Sequence, residues 1–178
     1  MAPYRTLDDV DWANWEPTER ATLLFVIRDA HVLLIRKKRG LGAGKINGPG
    51  GRIDAGETPR QAAVREVREE LRITPTTIRQ HGELLFQFVD GFSIHGYVFR
   101  ADDWEGEPEE TEEAIPLWTA LDRIPYAEMW ADDRIWFPWL LERRHFRGWL
   151  LFEDDDLLEH RFELEPAGTT RKTETCDA

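Results

Sequence analysis

Apolar and β-branched positions crowd residues 22–38, TLLFVIRDAHVLLIRKK, and break only at Asp29-Ala30. Two such runs around a polar dipeptide predict successive strands joined by a tight turn. Six glycines then fall within residues 40–51, GLGAGKINGPGG, where backbone must bend sharply or pass close to another group. The apolar period next lengthens to that of a helix, with Ala63, Val64, Val67 and Leu71 on one stripe. Thr58 reads as the N-cap, Pro59 as the first helical residue and Gln61 as the far end of a capping box. Pro75 limits the other end.

Further on, LLFQFV (84–89), Asp90-Gly91 and the run to Phe99 predict a hairpin. Residues 102–113 hold eight acids in twelve positions and read as a solvated loop. A short strand and turn are expected over 115–124, and a helix from Asp133 to Arg147 with Pro138 in its first turn or at a kink. WLLFE (149–153) and LLEHRFELE (157–165) predict a closing hairpin around 154–156. Residues 1–20 form a polar arm with Trp12 and Trp15, either packed or mobile, and 166–178 have the composition of a disordered tail. Between them, residues 21–165 make one domain. Helices and strands mix without strict βαβ alternation, so the expected fold is an α/β sandwich around a mixed sheet.

Composition narrows the function. A chain of 178 residues, 41% hydrophobic and 33% charged, suits one soluble domain. No run approaches the ~18–20 apolar residues of a membrane span, and the N-terminus lacks a basic stretch followed by an apolar one. A cytoplasmic monomer is expected. Cys176 is the only cysteine, which excludes internal disulfides and a cysteine-built zinc site. With 23 basic and 35 acidic residues the net charge is −12, a surface that repels nucleic acid. A small anionic substrate then requires a cation or a local basic patch as a bridge.

Glu66, Glu69 and Glu70 stand at i, i+3 and i+4, off the apolar stripe. Like charges at this spacing repel by a few tenths of a kcal/mol, and enclosure raises the cost. A hard divalent cation, Mg²⁺ or Mn²⁺, is the natural remedy for oxygen-only ligands. The plain alternative is a solvated face paired with Arg65, Arg68 and Arg72.

The register G-x5-E-x7-R-E-V-x-E-E, carried by Gly51, Glu57, Arg65, Glu66, Glu69 and Glu70, resembles the Nudix box. The resemblance implies a Nudix fold, an α-β-α sandwich with a partly curved mixed sheet, and hydrolysis of nucleoside diphosphate derivatives. It implies that Glu66, Glu69 and Glu70 hold divalent metal with the Gly50 carbonyl and Glu113, for which Glu112 is the rival in register. Arg65 would orient a glutamate, and Glu69, Glu70 and Glu113 are candidates for the base. One position departs: the family's usual glycine is Arg72 here, at a cost of roughly 1 kcal/mol if that cap is left-handed.

More of the chain, over residues 21–165, resembles the oxidised-purine nucleoside triphosphatases of that family. The resembling segments are KKRGLGAGKINGPGGRIDAGET (37–58), ELLFQFVD (83–90), IPYAEMWADDRIWFPWLLERRHFRGW (124–149) and the FELE ending. This implies a base pocket of Asn47, Trp130, Asp132 and Asp133, with Thr22, Lys37, Leu41, Phe86 and Phe88 as further substrate contacts. Trp130 offers a stacking face, Asn47 both donates and accepts, and adjacent buried carboxyls share a proton. Plainer readings stand beside these: Asp132 or Asp133 as helix N-cap, and Trp130, Phe86 and Phe88 as core. Leu41 and Pro49 replace aromatic residues of the animal enzymes. The expected activity is Mg²⁺-dependent conversion of 8-oxo-dGTP or 2-hydroxy-dATP to monophosphate and pyrophosphate. The alternatives are ADP-ribose, a diadenosine polyphosphate or an ordinary dNTP as substrate, or a binding domain without catalysis.

Overall fold

Alternation along β1 (Glu19–Arg28) sends Leu24 and Val26 to one face and Phe25 and Ile27 to the other, all four buried. A strand apolar on both sides belongs inside a sheet covered twice. The computed structural model describes residues 4–166 and has that arrangement. In chain order follow β2 (His31–Lys37), β3 (Ile46–Asn47), α1 (Pro59–Leu71), β4 (Thr74–Phe88), β5 (Ser93–Glu105), β6 (Ala114–Ala120), α2 (Asp133–Leu141), β7 (Phe146–Glu153) and β8 (Asp156–Leu164). They form one eight-stranded sheet in the order β3-β2-β1-β5-β4-β7-β8, with β6 on β2. β1 runs parallel to β5 and β4 parallel to β7, and the other pairs are antiparallel. The core on one face includes Ala63, Val67 and Leu71 of α1, and that on the other includes Trp136, Phe137 and Leu140 of α2. The expected α/β sandwich is present.

Local signals explain α1 well. Thr58 Oγ1 accepts from the Gln61 N–H at 3.2 Å and Gln61 Oε1 from the Thr58 N–H at 2.9 Å, the reciprocal cap read from the sequence. The helix stops at Arg72, left-handed at φ 62°, its N–H donating to the Arg68 carbonyl. Pro75 does not end it; Pro75 lies in β4, opposite Trp104. Because Arg72 is exposed and its backbone is one that glycine adopts freely, Arg72→Gly should stabilise the fold by about 1 kcal/mol. That corresponds to about 3 °C in a thermal melt for a chain of this size.

Several boundaries differ from expectation. β4 begins at Thr74, ten residues before the expected strand, and bulges between Gln80 and Gly82. β5 continues to Glu105, so Asp102 and Asp103 are strand residues, not loop. Asp102 is held by Arg100 and twice by Arg143, while Arg100 donates to the Leu140 and Leu141 carbonyls at the end of α2. Their acidity hid a tertiary use. α2 stops at Leu141 rather than Arg147, and the chain turns over at Arg143, φ 58°; Pro138 lies inside the helix rather than in its first turn, and the helix continues past it. The closing hairpin starts at Phe146, three residues early. The short strand and turn expected over 115–124 are present: β6 ends at Ala120, and a 3₁₀ turn takes 121–123.

The N-terminal arm packs. Leu7 is buried with Leu85, Trp149 and Leu151, and Tyr4, Trp12 and Trp15 lie against them. The tail from 167 onward, with Cys176, lies outside the described residues.

Candidate active site

The glycine loop enters between β1 and β2 as they diverge. The amide of Leu24 donates to the Pro49 carbonyl and that of Thr22 to the Gly51 carbonyl, so 49–51 runs alongside the start of β1. At Gly50 only glycine fits, and at Gly51 a side chain would displace the Glu66 carboxyl. A Cβ on Gly50 would stand 1.9 Å from the Thr22 carbonyl oxygen, and one on Gly51 2.6 Å from the Glu66 carboxyl. The squeeze brings α1 against the loop, which places the acids.

Glu70 is 2% exposed. Its Oε2 accepts the Gly50 N–H at 2.9 Å. Burial pushes its carboxyl up to about 7, with Glu66 and Glu113 adding repulsion against the pull of Lys37 and the Gly50 amide. Burial also raises Glu66, against Arg65. Arg65 is the hub: it donates to Glu57 at 2.7 and 2.9 Å, to Glu66 at 2.7 Å, to Glu69 at 3.2 Å and to the Arg52 carbonyl at 3.0 Å. The same guanidinium, first through its hydrogen bonds, draws Glu57 down to about 2. Glu113 is half-buried, its charge felt by Glu66 and Glu70, whereas Glu112 is exposed. Glu113 itself is paired with Arg39.

The expected convergence of three glutamates is therefore partial. Glu70 points inward to the loop, Glu66 is enclosed beneath Gly51, and the Glu69 side chain stays half exposed against Arg65. Among the described residues, no three acidic or histidine side chains are gathered tightly enough to hold a metal ion as they stand. The donor set nonetheless suits a hard cation: it is all oxygen, and burial with like charge pushes Glu66 and Glu70 toward protonation.

A cleft of about 350 Å³ runs from this end of the loop to α2, a size that takes a nucleoside. Thr22, Lys37, Leu41, Asn47, Gly50, Phe86, Phe88, Trp130, Asp132 and Asp133 all line it. Glu66, Glu69, Glu70 and Glu113 do not; Glu70 borders it through Gly50 and Glu66 through Gly51. Leu41 is 56% exposed at the mouth. Pro49 is buried and absent from the lining, so its departure shapes the loop rather than the cavity. Lys45 sits over the Trp130 ring at 4.9 Å and pairs with Asp155.

Neither aspartate caps α2. Asp132 occupies the cap position without a side-chain cap bond, and its Oδ2 accepts the Trp136 indole N–H at 2.8 Å. Asp133 Oδ2 instead accepts the Trp130 amide at 3.1 Å. Asp132 Oδ1 and Thr22 Oγ1 are buried polar atoms without a partner, a costly state unless a ligand supplies one. Burial raises Asp132 to about 6, and burial together with repulsion from Asp132 holds Asp133 well above the usual carboxylate range.

Sequence reasoning missed Leu23, Ile94, Gly96, Arg52 and Phe152 in the lining and Trp136 behind it. Strand alternation pointed to Leu23, and the helical spacing of Trp136 from Asp132 was visible. No local signal marked Phe152, which reaches the cleft from β7 and meets Trp130 edge-on at 5.9 Å.

The NUDIX domain family matches residues 17–140. The chain is 44% identical over 144 residues to an oxidized purine nucleoside triphosphate hydrolase of Danio rerio, covering 80% of this chain and 92% of that protein. It is 42% identical over 138 residues to its namesake in Mus musculus, covering 77% and 88%. Among solved structures, a mutator MutT protein from Bacillus halodurans superposes with a TM-score of 0.75 at 29% identity, covering 83% of this chain and 99% of that one.

Proposed function

Because the chain belongs to the Nudix family, we propose that it is a Mg²⁺-dependent diphosphatase of oxidised purine nucleoside triphosphates. Substrates of the 8-oxo-dGTP and 2-hydroxy-dATP type would give monophosphate and pyrophosphate, clearing damaged precursors from the cytoplasmic nucleotide pool. The relatives' names support the substrate class. One observation carries the reading: a single cleft joins Asn47, Trp130 and two buried carboxyls at one end to the Gly50–Gly51 loop and its glutamates at the other.

Each residue then has a task. Trp130 stacks on the purine, at about 1–3 kcal/mol. Asn47 commits its Oδ1 to the Gly48 amide at 2.8 Å and so offers its amide group to the base. Asp132 and Asp133 read the purine edge through the oxygens that Trp136 and the Trp130 amide leave free. Lys37 and Arg52 give the triphosphate positive charge in an acidic protein. Glu66, Glu69 and Glu70, with the Gly50 carbonyl and Glu113, would hold Mg²⁺, or Mn²⁺ in its place, which neutralises phosphate charge and lowers the pKa of a bound water. Arg65 keeps Glu66 and Glu69 on one side of the helix until they are needed. The proposed functional unit is a monomer. No helix is long and apolar enough to cross a membrane among the described residues.

The test is a panel with Mg²⁺: 8-oxo-dGTP, 2-hydroxy-dATP, dGTP and ADP-ribose side by side. An oxidised purine should exceed dGTP in kcat/KM by about tenfold or more, the scale of one discriminating polar contact. ADP-ribose as the best substrate would overturn the reading, as would binding without turnover.

A further inference from the structure

The arm before β1 is tied to the wall of the cleft by one buried amide. Gln87, 2% exposed at the end of β4, donates its Nε2 to the carbonyls of Phe88 and Phe92, each at 3.1 Å. Both partners only accept, so the amide can face them only through its nitrogen. Its Oε1 is then turned away from the loop and needs a donor. Trp15 of the arm supplies it, the indole N–H lying 2.9 Å from that oxygen.

What Gln87 holds is the turn from Phe88 to Phe92. The amides of Phe88 and Gly91 close it from within, and Phe92 N donates to the Asp90 carboxylate. Phe88 packs against Phe92 at 5.6 Å and against Phe152 at 5.8 Å, and Phe152 in turn meets Phe86 and Trp130. Phe88 lines the main cleft. It also lines a second cavity of about 310 Å³ that shares Leu41 and Trp130 and has Val89, Asp90 and Phe92 as a wall. A continuous set of contacts therefore runs from the indole of Trp15 through Gln87 to the aromatic ring nearest the turn.

We infer that Trp15 is a positioning residue for the base pocket, acting through Gln87 to hold Phe88 against the bound purine. Without the indole N–H, the Gln87 oxygen is buried without a partner, and that cost weighs against the one amide orientation that bonds both carbonyls, so the turn opens more readily. Phe88 then samples more than one position, and binding weakens while the phosphate chemistry at the far end of the cleft is untouched. The inference rests on the purine reading of the cleft.

The experiment compares two conservative variants in the full chain. Trp15→Phe keeps the ring and removes the donor. Trp12→Phe does the same to a neighbour whose indole donates within the arm, to the Leu7 carbonyl at 2.9 Å, with no bond to the turn. Both should lower the melting temperature. Only Trp15→Phe should raise KM, by about three- to tenfold with kcat within about twofold of wild type, the signature of lost binding rather than lost transition-state contact. An unchanged KM in Trp15→Phe overturns the inference, and so does an equal rise in Trp12→Phe, which would mean that general loosening of the arm is enough. Measured on whichever purine triphosphate the wild type turns over best, the variant-to-wild-type ratio judges the arm. Failure of the oxidised-purine reading shows instead in the wild-type panel.

Discussion

Glu70→Gln should lower kcat by about 10³-fold, on the order of 4 kcal/mol at the transition state, while leaving the fold as stable as before or more so. Glutamine keeps the shape and the acceptor for the Gly50 N–H, and removes the charge that a cation in this loop would need. In the cation-free wild type that charge is a burden. Burial lifts the Glu70 carboxyl from 4.5 to about 7, so the folded state holds a proton that the unfolded chain has released. The associated stability is fully present below pH 4.5 and is lost as pH rises through 7, by on the order of 3 kcal/mol. Melts without divalent cation should therefore show Glu70→Gln equal to wild type near pH 4.5 and more stable at pH 8. Adding Mg²⁺ should raise the wild-type melting temperature far more than the variant's. Turnover within tenfold of wild type would remove Glu70 from the chemistry.

For the other end of the cleft, Asp132→Asn should cost about 10²-fold or more in kcat/KM for one oxidised purine while the Mg²⁺ response stays intact. The reason is the partner behind it. The Trp136 indole can only donate, so the asparagine oxygen must take the place of Asp132 Oδ2. Its NH₂ group then occupies the site of Oδ1, the unpartnered atom. A carboxyl that exchanges a proton becomes a permanent donor. In the wild type, burial raises both carboxyls, Asp132 to about 6, so the pair gains an acceptor as pH rises through that range. A purine that needs an acceptor there should gain in kcat/KM over that interval in the wild type and not in the variant. Rates on 8-oxo-dGTP and 2-hydroxy-dATP from pH 5 to 9 measure this, and an unchanged panel would leave the aspartates a purely architectural role. The linked stability has the same sign. Two buried carboxyls with raised pKa weaken the ligand-free fold as pH rises, and Asp132→Asn should melt higher at pH 8.

How much of this was legible in the chain depended on how local each signal is. The capping box at Thr58 and Gln61 and the turn at Asp29-Ala30, both with positive φ, are written within four residues and came out as read. The extents of β4, β5 and α2 did not. Pro75 looked like a helix stop and Asp102 like a loop acid until the neighbouring strand and Arg143 were in place. A burial that depends on partners far along the chain leaves no period to count.

The same division holds at the site. By itself the amino-acid order singled out the candidate residues for the chemistry, because a box of fixed spacing and a W-x-D-D segment are properties of covalent sequence. It could not say that Glu70 turns inward while Glu69 stays in water, since one helical step separates them and only the loop packed above decides. Nor could it say which aspartate oxygen is free, or that Trp15, 72 residues earlier, donates to Gln87. Those facts belong to the tertiary structure. Hydrogen bonds and desolvation act through space, so the protonation state of a carboxyl and the position of a ring are set by whatever the fold brings beside them.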